Sequence, residues 1–139
     1  MSKTANFRTQ HKELLQIATE MSSHLKESEL ANDANCVRSL LSKLAGKLTV
    51  HLAMEDKNLY PSLLNHEDER VRTTAKRFID EMGGIQEAFS KYVRNWPTSA
   101  HIQKNPSGFI SETKAIASAL SQRIAKEDNE LYNMIDSLG

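Results

Sequence analysis

The sequence predicts an all-α protein, a single antiparallel four-helix bundle with up-down-up-down connections. Apolar residues recur at intervals of three and four in four long segments, and no segment shows the alternating pattern of a half-buried strand. The breaks between these segments are short, which makes consecutive helices antiparallel neighbours. The length of 139 residues fits one domain with one core, so we assign residues 1–139 to this bundle.

Each predicted helix carries an apolar stripe along one side. Because such a stripe must be buried against neighbouring helices, its extent gives the approximate extent of the helix. The four stripes occupy residues 7–25, 37–59, 78–96 and 116–138.

Polar residues and prolines mark the ends of the predicted helices. The polar pair at 32–33 is suited to cap the second helix, and the polar run 65–68 separates the second helix from the third. Pro61 is expected to bend or end the second helix near its last turn, because proline removes a backbone donor. Pro97 ends the third helix, and we expect a longer loop over residues 98–108.

The composition excludes several classes of partner. Lys plus Arg equals Asp plus Glu at 18 each, whereas nucleic-acid binding needs a basic surplus on one face. No run of about 18 apolar residues is present, so we expect no membrane-spanning helix. The single cysteine excludes an internal disulfide and, without a signal-peptide pattern, favours a cytoplasmic location. The sequence identifies no protein partner.

The second and fourth helices repeat one sequence element. With a shift of 72 positions, residues 45–60 align with residues 117–132, and seven of the sixteen pairs are identical. Both copies contain Ala-x-Glu-Asp-x-x-Leu-Tyr, so Glu127 and Tyr132 in the fourth helix correspond to glutamate and tyrosine in the second. Such self-similarity predicts two copies of one structural unit, related by an approximate two-fold axis.

Four polar residues interrupt the apolar stripes. His11 lies in the stripe of the first helix, His51 and Glu55 continue the stripe of the second, and Glu127 interrupts that of the fourth. Burying a carboxylate without a partner costs several kcal/mol, and two carboxylates close together cost more. A metal ion, a buried cation or protonation of the carboxylates must therefore compensate.

At these residues the sequence resembles the hemerythrin-like, or HHE cation-binding, family. The resemblance is carried by His11 within the segment 7–15, by His51-x-x-x-Glu55 and by Glu127 within the second repeat copy. It implies a four-helix bundle in which histidines and carboxylates hold two non-heme irons that bind oxygen or a related small molecule. The ferritin-type alternative would need Glu-x-x-His, which the sequence lacks.

The second half of the chain departs from the family pattern. By the repeat, Arg123 stands where a second His51 belongs, residues 82–83 stand for a second His11, and the third helix contains no histidine. Arginine is permanently charged, cannot ligate a metal and repels a nearby cation, but its guanidinium can pair with carboxylates. We therefore expect Arg123 to fill the place of the second metal and to pair with Glu127, Glu55 or both.

The resemblance then implies a cytoplasmic protein, not an enzyme, that holds one non-heme iron and binds or senses a small diatomic molecule such as O2 or NO. We expect one ion rather than a full di-iron centre, held by the two histidines and Glu55, with Glu127 as a further ligand or as the partner of Arg123. The alternative is a metal-free signalling or interaction bundle whose core carboxylates are neutralised by Arg123. Tyr60 and Tyr132 are either donors to the carboxylates or core residues whose hydroxyls reach the surface.

Overall fold

The computed structural model of the protein describes residues 4–138. The side chain of Met82, one of the two positions aligned with His11, lies outside this description, as do residues 1–3 and 139 of the assigned domain. Within the described range the chain forms α-helices and π-helical segments and contains no strand, so the predicted all-α fold class is confirmed. No helix in the same range is long and apolar enough to cross a membrane.

Nine α-helices and two π-helical segments follow one another within residues 4–138. In chain order the α-helices are α1 (Ala5–Ser22), α2 (Glu27–Asn32), α3 (Asn35–Met54), α4 (Tyr60–Leu64), α5 (Glu69–Met82), α6 (Ile85–Asn95), α7 (Ser99–Lys104), α8 (Pro106–Lys126) and α9 (Tyr132–Ser137). The π-helical segments are π1 (Glu55–Leu59), which joins α3 to α4, and π2 (Glu127–Leu131), which joins α8 to α9.

Four long helices built from these elements form the bundle. The first is α1, the second combines α3, π1 and α4, the third combines α5 and α6, and the fourth combines α8, π2 and α9. Contacts link α1 to α3, α3 to α6, α6 to α8 and α8 back to α1, which closes the ring of four helices. Because each helix contacts two neighbours, the inward side chains of all four meet in one core.

The core consists of two apolar clusters with a polar layer between them. In the second bundle helix, buried residues up to Leu52 belong to one cluster and those from Tyr60 onward belong to the other. In the fourth bundle helix, the division falls between Ile124 and Leu131. Buried polar side chains occupy both intervals, so apolar side chains enclose the polar layer from both ends of the bundle.

The loop predicted over residues 98–108 is wrong, because α7 occupies most of it. The Thr98 side chain accepts a hydrogen bond from the backbone N–H of His101 and caps α7, and Ile102 is fully buried under the bundle. Pro106 then starts α8 at the position where proline is best tolerated in a helix. Six residues are too few to show an apolar period, so the sequence pattern did not reveal this helix.

The third bundle helix is divided at Gly83 and Gly84. A Cβ atom at Gly83 would lie 2.7 Å from the carbonyl oxygen of Ile79, whereas one at Gly84 would meet nothing within 4 Å in the described structure. Clefts of about 460 Å³ and 210 Å³ flank this break, the first beside Gly84 and the second beside Gly83, and both reach Arg123. At the level of the polar layer, two clefts beside the break therefore reach the fourth bundle helix.

The two glycines should respond differently to substitution by alanine. We expect Gly83→Ala to lower the free energy of unfolding by about 1–3 kcal/mol, because the added methyl group meets a backbone carbonyl. Gly84→Ala should leave stability unchanged or raise it by up to about 1 kcal/mol, because the site is open and alanine restricts the unfolded chain. Urea unfolding of both variants tests this, and equal effects would contradict the close approach at Gly83.

Candidate metal centre

The polar layer brings together side chains from three of the four bundle helices. His11 comes from α1, His51 from α3 and Arg123 from α8, while Glu55 and Glu127 are the first residues of π1 and π2. All five are at most 3% exposed, so water does not compensate their polar groups. Their partners must be one another, or a bound ion.

Both carboxylates begin a π-helical segment, and these segments explain how each one shares a face with a tyrosine. In an α-helix, residues five apart are rotated by about 140° from each other, so Glu55 and Tyr60 would point to different sides. The i to i+5 hydrogen bonding of a π turn brings such residues onto one face. The same holds for Glu127 and Tyr132 in π2. Asn133 stands at the repeat position of Pro61, so proline is not the cause of the π turn.

Four potential ligand atoms converge in this layer. The Nε2 atoms of His11 and His51 are 2.9 Å apart, Nε2 of His51 is 2.7 Å from Oε1 of Glu55, and Nε2 of His11 is 3.3 Å from Oε1 of Glu127. All four atoms lie within 4.8 Å of one another. Neighbouring ligands held about 2.1 Å from one metal ion are roughly 3 Å apart, so these spacings suit a shared ion.

The other ring nitrogens fix the tautomer of each imidazole. Nδ1 of His11 is 2.8 Å from Oδ1 of Asp128, and Nδ1 of His51 is 2.5 Å from Oε1 of Gln10. Both partners accept hydrogen bonds, so each Nδ1 carries a hydrogen, and in the neutral ring Nε2 then presents a lone pair. Burial and the neighbouring His11 lower the pKa of His51 to about 4, which keeps this imidazole neutral at pH 7.

The two carboxylates each leave one buried oxygen without a hydrogen-bond partner. Oε2 of Glu55 accepts from the Tyr132 hydroxyl at 2.9 Å, and Oε2 of Glu127 accepts from the Tyr60 hydroxyl at 2.6 Å. Oε1 of both carboxylates lacks a hydrogen-bond donor among the described residues. Lone pairs of two imidazoles and two carboxylates therefore face one another, which is unfavourable unless a cation lies among them. This donor set fits a divalent metal ion.

Without a metal, the two carboxylates differ in their affinity for protons. Burial and the adjacent Glu127 carboxylate raise the pKa of Glu55 well above its usual value. For Glu127, burial opposes ionisation, but the proximity of His11 and Glu55, the charge of Arg123 and the hydrogen bond from Tyr60 prevail and lower the pKa to about 2. Two carboxylates in such proximity do not both ionise without a further cation.

Nearly the whole chain is similar to one protein family. The sequence model of the hemerythrin HHE cation-binding domain matches residues 2–135, nearly the whole chain. The chain belongs to the hemerythrin HHE family. Comparisons with curated proteins and with solved structures found no significant match.

In this hemerythrin domain, Arg123 lies beside the carboxylates of the polar layer. Its Nε is 3.3 Å from Oε2 of Glu127, and its Nη2 is 3.7 Å from Oε1 of Glu55. Nη2 is also 3.3 Å from Oδ1 of Asp56, a residue that the sequence analysis did not single out. One buried guanidinium thus contacts three acidic side chains, as its planar fork allows.

In the hemerythrin domain, the hydrogen bonds of the tyrosines follow the internal repeat, whereas the contacts of the repeated aspartates differ between its two copies. The tyrosine of each copy donates to the glutamate of the other, Tyr60 to Glu127 and Tyr132 to Glu55. Asp128 holds the ring of His11, but its counterpart Asp56 contacts Arg123. Arg123 thus stands at the repeat position of His51, and its guanidinium contacts the carboxylates of both copies.

Three residues that were not identified from the sequence orient the layer. Asp56 and Asp128 had a signal, because each follows the repeated glutamate in both copies of the motif. Gln10 had none, because its contact with His51 depends on how α1 crosses α3. Both tyrosines, which the sequence left open as donors to the carboxylates or as core residues with hydroxyls at the surface, have hydroxyls that contact carboxylates. Burial and nearby carboxylates raise the pKa values of Tyr60 and Tyr132, so both hydroxyls keep their protons and donate within the core.

Removing the buried guanidinium should destabilise the metal-free protein strongly. We expect Arg123→Met to cost about 3–5 kcal/mol in urea unfolding with chelator present, because buried carboxylates lose their cationic partner. Lys126→Met is the matched control, since Lys126 lies in the same helix as Arg123 but forms an exposed ion pair with Glu81 of α5, and its loss should change stability by at most about 1 kcal/mol. Similar losses in the two variants would show that Arg123 does not neutralise the layer.

Proposed function

We propose that this hemerythrin domain binds one non-heme iron ion through His11, His51, Glu55 and Glu127. The observation that carries the proposal is the convergence of two imidazole lone pairs with two carboxylate oxygens that lack hydrogen-bond donors in the described structure. Imidazole and carboxylate ligands together suit iron, and two histidines with carboxylate form a set that leaves positions open. The ion, once bound, supplies the position at which a small diatomic molecule such as O2 or NO binds.

The residues around the ligands limit the site to one ion. The hydrogen bond from each tyrosine holds the outer oxygen of its glutamate, so each carboxylate offers one oxygen to the site. The second position is unfavourable for a cation because the guanidinium of Arg123 carries a permanent positive charge. Asp128 and Gln10 hold the two imidazole rings in the orientation that ligation needs.

A metal-free interaction bundle is the second candidate function, and the contacts of Arg123 favour it. The guanidinium already partners three acidic side chains, so the layer has an internal cation in the absence of metal. On this alternative, the surface of the bundle binds a protein partner and the polar layer serves only to stabilise the fold. The two functions differ in whether the four convergent atoms take up an ion.

Metal content separates the two functions. After anaerobic loading with Fe(II) and desalting, we expect about one iron per chain by elemental analysis, because the donor set surrounds a single position. His51→Ala should abolish the binding, and addition of NO to the loaded protein should change its visible absorption. His101→Ala is the control, because this exposed histidine lies in α7 and should leave the iron content unchanged. A chain that takes up no iron would favour the interaction bundle.

The repeat predicts how a second ion can be admitted. Arg123→His places an imidazole one turn before Glu127, as His51 stands before Glu55, and removes the repelling charge. We expect the iron content of this variant to rise above one per chain. Arg123→Lys is the control, because it keeps a positive charge in the same place and should bind no additional iron. Equal iron contents in the two variants would contradict the assignment of Arg123 to the second metal position.

A further inference from the structure

We infer that Tyr132 is a further ligand of the bound iron, through its phenol oxygen, an inference that rests on the proposed metal binding. The hydroxyl oxygen lies 3.3 Å from Nε2 of His11 and 2.9 Å from Oε2 of Glu55, so it touches two of the candidate ligand residues. The tyrosine side chain is fully buried in the polar layer, beside the four convergent atoms.

The hydrogen positions around this oxygen leave its lone pairs directed at the site. The hydroxyl has one hydrogen, which it donates to Glu55. In the neutral tautomer that directs the Nδ1 hydrogen at Asp128, Nε2 of His11 carries a lone pair. The oxygen of Tyr132 and Nε2 of His11 are therefore two lone-pair atoms in contact, the same relation that joins His11 to His51.

The phenol ring is held in place and cannot turn the oxygen away from the site. It stacks on the His11 ring at a centroid distance of 5.2 Å and an interplanar angle of 20°, and Phe7 packs against it at 5.7 Å. The guanidinium carbon of Arg8 lies 5.5 Å from the ring centroid. The 3.3 Å contact of the phenol oxygen with Nε2 of His11 equals the distance from that nitrogen to Oε1 of Glu127, so the oxygen is placed as a fifth donor.

Tyr60, the repeat counterpart, lacks this environment. Its hydroxyl donates to Oε2 of Glu127, and the same oxygen accepts from Nε of Arg123. Arg123 stands at the position of an imidazole on that side, and its guanidinium carbon lies 5.9 Å from the Tyr60 ring centroid. A cation next to this hydroxyl would meet the arginine charge. The two tyrosines thus have the same sequence context and different chemical roles.

Ligation by Tyr132 requires the loss of one proton. The hydroxyl proton passes along its existing hydrogen bond to Oε2 of Glu55, while Oε1 of that carboxylate stays available as a ligand. Phenolate is an anionic oxygen donor and a known type of iron ligand in proteins, and it favours the ferric over the ferrous ion.

The test uses the colour of the ferric protein. The full chain is loaded with Fe(II) without oxygen and then oxidised with ferricyanide. We expect a phenolate-to-iron(III) charge-transfer band in the visible spectrum, with tyrosine ring vibrations enhanced in resonance Raman at that wavelength. Tyr132→Phe should abolish the band, whereas Tyr92→Phe, which removes a buried hydroxyl bonded to Thr113 outside the polar layer, should retain it. Tyr60→Phe tests the repeat counterpart, and circular dichroism verifies that the variants fold. Ring-deuterated tyrosine in the unsubstituted chain should shift the enhanced vibrations, which tests phenolate ligation even where a variant does not fold.

The outcomes distinguish this inference from the function on which it rests. Ferric protein with one iron and no charge-transfer band would overturn the ligation by Tyr132 and leave iron binding intact. A band that survives in Tyr132→Phe, or one that is lost only in Tyr60→Phe, would also overturn it. Absence of bound iron after loading would overturn both the inference and the proposed function.

Discussion

The structure depends on how two carboxylates are held in the middle of an apolar bundle. Glu55 and Glu127 are at most 1% exposed, and transfer of a charge from water to such a place costs several kcal/mol unless partners replace the lost water. The bundle supplies those partners unevenly. Oε2 of each carboxylate accepts a hydrogen bond from a tyrosine hydroxyl. Oε1 of each has no donor among the described residues and faces the imidazoles. Because apolar clusters enclose the layer on both sides, solvent does not relieve the imbalance, and a bound cation would do so.

The π turns make this layer possible within regular helices. Each turn replaces α-helical hydrogen bonds over five residues and leaves a glutamate and the tyrosine five positions later on the inner face. Such turns are rare, and here each one coincides with a hydrogen bond from its tyrosine to the glutamate of the other copy. The turn, the carboxylate and the phenol therefore form one unit, which the bundle contains twice.

The fold and most of the layer followed from the sequence because both depend on short-range periodicity. A stripe of apolar residues predicts a bundle helix, and an interrupted stripe identifies His51 and Glu55 as buried polar residues. Contacts between helices leave no comparable periodic signal in the sequence. Gln10 contacts His51, which lies 41 residues later in the chain, and the sequence of neither helix indicates this contact. The orientation of Tyr132 could not be predicted either. In a regular α-helix this residue would point away from the inner face, and the π turn before it brings it onto that face.

The asymmetry at Arg123 separates folding from metal binding. A symmetric site with two ions would leave all its carboxylates unpaired whenever the metal is absent, and the bundle would then depend on metal to fold. Here the guanidinium neutralises one side permanently, through Glu127, Glu55 and Asp56. The remaining imbalance is confined to four atoms around a single position. On the proposed function, the domain can therefore exist folded with and without iron, and a protein that senses through a metal needs both states to be stable.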